Sequence, residues 1–162
     1  IFGIVYISTH SLESIIILFI LLLYSYCKQF LPRRVCVLEE SAVRLICIRG
    51  TVCKLLWKDM MAVGQISMPN GKKKIFFCSR SKEKIIHFFN QRQDYAKRIC
   101  RKGQYEQLLG TEDGRWKLAV AVYLISREKK YEDTLILLPF KERYAKKIKV
   151  YYKDMLQIDF IT

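Results

Sequence analysis

The stretch RRVCVLEESAVRLICIRGTVCKLLW (Arg33–Trp57) decides the fold. Apolar and polar residues alternate in it with a period of two, the pattern of half-buried β-strands. RRVCVLE (Arg33–Glu39) reads as one strand and Glu40-Ser41 as a turn. AVRLICIR (Ala42–Arg49) reads as a second, with Val43, Leu45 and Cys47 on one face and Arg44, Ile46 and Ile48 on the other. Gly50 turns the chain into TVCKLLW (Thr51–Trp57), and MAVGQISM (Met61–Met68) follows as a fourth strand. Pro69-Asn70-Gly71 is a hairpin signal before KKKIFFCS (Lys72–Ser79), the fifth. A meander of five short antiparallel strands is expected.

Beyond it the period changes. SKEKIIHFFNQRQDYAKRICRK (Ser81–Lys102) carries Ile85, Phe88, Phe89, Ala96 and Ile99 at helical spacing, and Gly103 ends it. GRWKLAVAVYLISREKK (Gly114–Lys130) is apolar without a clear period; it reads as a helix, with a buried strand as the alternative. DTLILLPF (Asp133–Phe140) reads as a strand. KERYAKKIKVYYKDML (Lys141–Leu156) places Tyr144, Ile148, Tyr151 and Met155 on one face of a final helix.

Before the meander, IIILFILLLYSY (Ile15–Tyr26) has no charge and no helix breaker. Residues 1–31 are expected to form a membrane anchor, with Lys28 snorkelling and Tyr24 and Tyr26 at the headgroups. It is either a helical hairpin or one long tilted helix. The hairpin is favoured because burying Glu13 in lipid is expensive. A core helix is the bland alternative. Lys28, Arg33 and Arg34 follow the apolar run, so the positive-inside rule puts residues 32–162 in the cytoplasm, on the cell membrane. Ile1 lies inside an apolar run and is not Met, so an upstream segment is expected.

The 162 residues hold 29 Lys+Arg against 15 Asp+Glu, a net charge of +14. Residues 1–27 carry a single charge, Glu13, so 32–162 is one strongly basic domain, suited to polyanions such as anionic lipid or nucleic acid. Six cysteines, at 27, 36, 47, 53, 78 and 100, include no C-x-x-C pair. No metal site is expected, and the thiols read as free and buried in a reducing compartment.

Trp57-Lys58-Asp59-Met60, followed by Val63 and Ile66, resembles the W-x-D-I-x-x-I segment of pleckstrin-homology-like domains. TLILLPFKERYAKKIKVYYKD (Thr134–Asp154) is similar to the last strand and capping helix of that fold. Preceded by an anchor and Pro-Arg-Arg-Val, the arrangement resembles small membrane proteins of Gram-positive bacteria that carry such a domain. The resemblance implies an α+β protein: a transmembrane helix or hairpin, then an antiparallel pleckstrin-homology-like β-barrel with a helical insertion at Ser81–Lys130 and a C-terminal helix. Trp57 would pack the core and Asp59 would serve a turn or cap. It also implies that Lys72, Lys73 and Lys74, beside a hairpin turn, touch anionic lipid headgroups, with Arg33 and Arg34 adding non-specific membrane contact. A solvated strand end is the plainer account of the lysines.

Arg92, Lys97, Arg98, Arg101 and Lys102, interleaved with Tyr95 and Tyr105, suit nucleic acid as an alternative partner. The plainer account is the charged face of an amphipathic helix, and Lys141–Lys149 has the same two readings. His87 lies among Ile85, Ile86, Phe88 and Phe89 and reads as structural. Glu39-Glu40 and Glu112-Asp113 read as solvated turns. No catalytic motif, phosphate-cradling glycine loop or cofactor signature occurs. The expected function is a membrane-anchored, non-enzymatic binding module that presents a basic surface to anionic lipid or to a protein partner. A membrane-tethered nucleic-acid-binding protein is the alternative, and a catalytic part upstream of Ile1 a weaker third.

Overall fold

Ile75, Phe76, Phe77 and Cys78 are consecutive and all fully buried, so the strand that holds them is covered on both faces. The structure, a computed structural model, describes residues 2–30, 35–47, 50–128 and 132–161, with side chains for 12–26, 35–46, 50–128 and 132–161. Around that central strand, β5 (Lys73–Cys78), the chain builds three layers. Sheet A is β1 (Val35–Leu38), β2 (Ala42–Cys47) and β3 (Gly50–Leu56), antiparallel in that order. Sheet B has the order β6-β5-β4-β7, with β4 (Ala62–Ser67), β6 (Leu135–Pro139) and β7 (Leu156–Ile158). The third layer is α2 (Lys82–Asn90), α3 (Gln93–Ile99), α4 (Gln104–Leu109) and α5 (Glu112–Arg127).

Strand parity divides the core in two. Val63, Ile75, Phe77 and Ile136 turn towards Val43, Leu45 and Leu55 of sheet A and Ile148 of α6 (Glu142–Tyr151). Ala62, Ile66, Phe76 and Cys78 turn towards Ile85, Phe89 and the α5 core. The β4–β5 hairpin closes as Pro69-Asn70-Gly71 predicts. Met68 accepts from Gly71 N at 2.9 Å and donates to Lys72 O at 3.0 Å, and Gly71 takes φ +75°, where a Cβ would be strained.

The absent period in α5 has a physical cause. Its residues Leu118 to Leu124 are all buried, because α5 lies between sheet B and the other helices. A helix covered all round shows no amphipathic stripe. The expected single helix Ser81–Lys102 breaks at Arg92, whose N–H donates to Phe89 O at 2.8 Å. The break lets Phe89 of α2 and Ile99 of α3 reach the same core.

Three expectations are corrected. The five strands of the meander are present, but they do not close a pleckstrin-homology-like barrel. After β3, one 3-10 turn (Trp57–Asp59) redirects the chain, and Met61 N donates to Cys78 O, so β4 pairs with β5 and not with β3. The outcome is two separate sheets. The final helix ends at Tyr151, and Leu156–Ile158 returns as β7 parallel to β4, from Gly64↔Leu156 to Ile66↔Ile158. Third, among the described residues no helix is long and apolar enough to cross a membrane. This overturns the transmembrane anchor and the cell-membrane location built on it. The uncharged run between Glu13 and Lys28 supplies only about 21 Å of helix against a hydrocarbon core of about 30 Å. It lies in α1 (Phe2–Phe30), where Leu12 and Ile15–Leu23 stay exposed.

The β4–β7 contact depends on Gly64. A Cβ there would lie 2.1 Å from Leu156 O, whereas one on Gly110 would meet nothing closer than 3.5 Å. Gly64→Ala is therefore expected to cost about 3 kcal/mol by overpacking against backbone. Gly110→Ala, at φ −68°, is expected to be neutral or stabilising by about 0.5 kcal/mol. Urea unfolding of the two variants checks both; equal midpoints would exclude this role for Gly64.

Candidate functional site

Three chain segments meet at Trp57. Its Nε1 donates to Glu39 O at 2.8 Å, holding the β1–β2 turn. Its ring stands edge-on to Phe77 at 6.0 Å and stacks on Tyr151 at 5.2 Å with 9° between planes. Trp57 thus ties sheet A, sheet B and α6 together, and Arg44 pairs with Glu39 beside it. The packing role expected of Trp57 is met, and Asp59 ends the 3-10 turn, exposed.

Pinned this way, α6 runs beside β1 and leaves a groove of about 400 Å³ between them. Cys36, Val37 and Leu38 form one wall, and Tyr144, Val150 and Tyr151 the other, with Lys147 on the rim. Among the described residues β1 pairs with β2 alone, so its outer edge offers unpaired backbone groups. Apolar residues continue out of the groove: Val35 is 46% exposed, Val150 77% and Tyr151 40%. Besides Lys147 at the groove, α6 and the residues after it carry the exposed cations Arg143, Lys146, Lys149 and Lys153. Lys146 faces Glu142 at 3.2 Å, and Arg143 lies over the Tyr144 ring at 5.1 Å. The sequence pointed to the lysines of α6 but not to this groove. Its one signal was the apolar pair Val150-Tyr151 among them.

The sequence-predicted lipid site is not one patch. Lys72 and Lys73 are exposed, while Lys74, on the opposite face of β5, is drawn to the helical layer by Glu128, Nζ to Oε1 2.6 Å. Both partners of that pair are partly buried. Arg33 and Arg34 lie outside the described residues. The predicted nucleic-acid residues Arg92, Lys97, Arg98, Arg101 and Lys102 are all exposed. Of their aromatics, only one keeps exposed surface. Tyr105 is buried, with Lys97 over its ring at 5.5 Å, and Tyr95 is half-buried.

His87 is not a core histidine; it is exposed on α2, where its Nε2 meets Gln91 Nε2 at 3.0 Å. Thr111 caps the start of α5, its Oγ1 accepting from Gly114 N at 3.0 Å, and Glu112 and Asp113 of the first turn pair with Lys82 and Lys117. Among the described residues no group of three or more His, Cys, Asp and Glu is placed to hold a metal ion.

Cys36, Cys53, Cys78 and Cys100 are free thiols; the side chains of Cys27 and Cys47 lie outside the described residues. Burial raises the thiols of Cys36, Cys78 and Cys100 from 9.0 to about 11. Burial, then Asp133, raises Cys53. At neutral pH all four stay protonated and are poor nucleophiles. The raised values have a stability consequence. Above pH 9 the unfolded chain loses thiol protons that the folded chain keeps to about pH 11. The unfolded state then binds fewer protons, so stability falls as pH rises through this window. Urea midpoints at about pH 8 and about pH 10 are expected to show the fall. Cys36→Ala should reduce it, and an unchanged slope would remove Cys36 from the account.

No protein-family model, no curated protein and no solved structure matches the chain, so its function has to come from this geometry.

Proposed function

We propose that the chain is a non-enzymatic binding module that captures an extended, acidic and apolar segment of a partner protein along β1. The observation that carries this is the groove, which places an unpaired strand edge and a basic helix on either side of an apolar floor. Each part answers one feature of such a segment. The free N–H and C=O groups of β1 add it as a further strand. Val37, Leu38, Tyr144 and Tyr151 take alternate apolar side chains. Lys147 and its neighbours favour carboxylates on the others and reject a basic segment by like-charge repulsion. A net charge of +14 steers an acidic partner towards the whole surface.

The protonated thiols fit a groove that binds without thiol chemistry. Headgroup binding through Lys72–Lys74 is less well supported, because Lys74 is committed to Glu128.

The test uses a fluorescein-labelled peptide that alternates glutamate with isoleucine, and fluorescence anisotropy with the full chain. A Kd on the order of 10 μM is expected, weakening as salt rises. Lys147→Glu should weaken it about tenfold, a loss of about 1.4 kcal/mol. A peptide with alternate amides N-methylated should not bind, since it cannot pair with β1. Equal binding of the N-methylated peptide, or of one with lysine in place of glutamate, would reject the strand-addition reading. Tighter binding of a single-stranded oligonucleotide, lost on Arg98→Gln, would favour nucleic acid in its place.

A further inference from the structure

A second basic cavity lies on the other side of sheet B, within the helical layer. It has a volume of about 270 Å³ and is lined by Phe88, Arg92, Tyr95, Ser126 and Arg127. Two guanidiniums stand against one ring: Arg92 is 4.8 Å and Arg127 5.3 Å from the Phe88 centroid. Phe88 is itself fixed edge-on against Tyr123, at 5.6 Å and 87°. Both cations line the same cavity, and the attraction of each to the ring leaves its positive charge in place.

The counter-charge present is incomplete. Arg127 pairs with Glu132 at 3.0 Å, and Tyr123 donates to the other oxygen of that carboxylate. Among the described residues Arg92 has no ion pair, and the Nε of Arg127 is buried without a hydrogen-bond partner. A buried donor left unmade is costly, and the terminal nitrogens of a guanidinium, not this inaccessible Nε, are what a cavity oxyanion would meet. The negative end of the α5 dipole reaches its last turn, which holds Arg127, while at Arg92 the C-terminal end of α2 meets the N-terminal end of α3 and the two dipole ends oppose each other. The hydroxyls of Ser126 and Tyr95 complete the lining.

We infer that this cavity is a binding site for a phosphate monoester. The dianion supplies the missing charge and takes charge-assisted bonds from both guanidiniums, with the two hydroxyls as further donors. A phosphodiester backbone fits less well. It brings one charge per phosphate, and both arginines already occupy the Phe88 ring against which a base would stack. The site shares no residue with the β1–α6 groove, so either can hold without the other.

Calorimetric titration of the full chain tests it with three probes: inorganic phosphate, O-phospho-L-serine and a phosphoserine peptide. Saturable binding below about 10 mM phosphate is expected. Arg92→Gln, an exposed position, should weaken it at least tenfold with the melting temperature unmoved, and Ser126→Ala should weaken it less. Lys54→Gln, at an exposed position of β3, should leave it unchanged. Similar affinity for the three probes assigns the site to small phosphate compounds, and tighter binding of the peptide assigns it to a phosphorylated protein. No saturation with any probe, or an equal loss in Arg92→Gln and Lys54→Gln, would overturn the proposal.

Discussion

The structure depends on one constraint: β5 has no face that can meet water. Ile75–Cys78 buries both parities of its side chains, so a layer has to exist on each side. Sheet A and α6 fill one side, and α2–α5 fill the other. The same parity governs the charge at the start of the strand. Lys73 shares a face with Ile75 and Phe77, and Lys74 shares one with Phe76 and Cys78. Two adjacent lysines therefore leave in opposite directions. That is why Lys74 meets Glu128 of the helical layer and the triple-lysine run never forms one surface.

The groove follows from where the two sheets part. Because β4 leaves β3 to pair with β5, sheet A ends at three strands and keeps β1 on its edge. An edge strand invites pairing with another chain, and short length is one way to limit that. β1 is four residues long. It is also partly shielded by α6, which Tyr151 holds against Trp57. Short length and that shield together limit how much of the β1 edge another strand could reach. The Trp57 hydrogen bond to Glu39 O fixes the turn at one end of β1. That end of the strand is thereby held in place, and in the proposed strand addition such preorganisation lowers the entropy lost.

What could be read from the residues follows how local each signal is. Val35–Leu38, Ala42–Cys47 and the hairpin at Asn70-Gly71 carry their pattern within a few residues, and they form as expected. β7 does not announce itself: Leu156–Ile158 is three residues long, follows a helix, and is strand-like only because Gly64 lets its backbone approach β4. The run at Ile15–Tyr26 shows how composition misleads. Its apolarity was legible, but its length falls short of a bilayer once Glu13 and Lys28 bound it. The groove and the arginine pair were illegible for a different reason. Each joins residues far apart in the chain, Val37 with Tyr151 and Arg92 with Arg127, and no local period reports such a meeting.

Where the surplus of cations is left depends on the way the acids are used. Two acidic side chains are committed to partly buried pairs near the end of α5, Glu128 with Lys74 and Glu132 with Arg127. Glu39 pairs with Arg44 beside the Trp57 pin. These carboxylates stabilise joints between layers, where removing one partner would leave a desolvated charge. Others, such as Glu142 with Lys146, sit in water and contribute little. With 15 acids against 29 bases, those joints draw on an already scarce sign of charge. Exposed cations outside these pairs are spread over the surface, at Lys54, Lys72 and Lys73 as well as along α6 and at the α2–α3 corner beside the two cavities. The positive charge is therefore placed less by local composition than by where the fold needs its carboxylates.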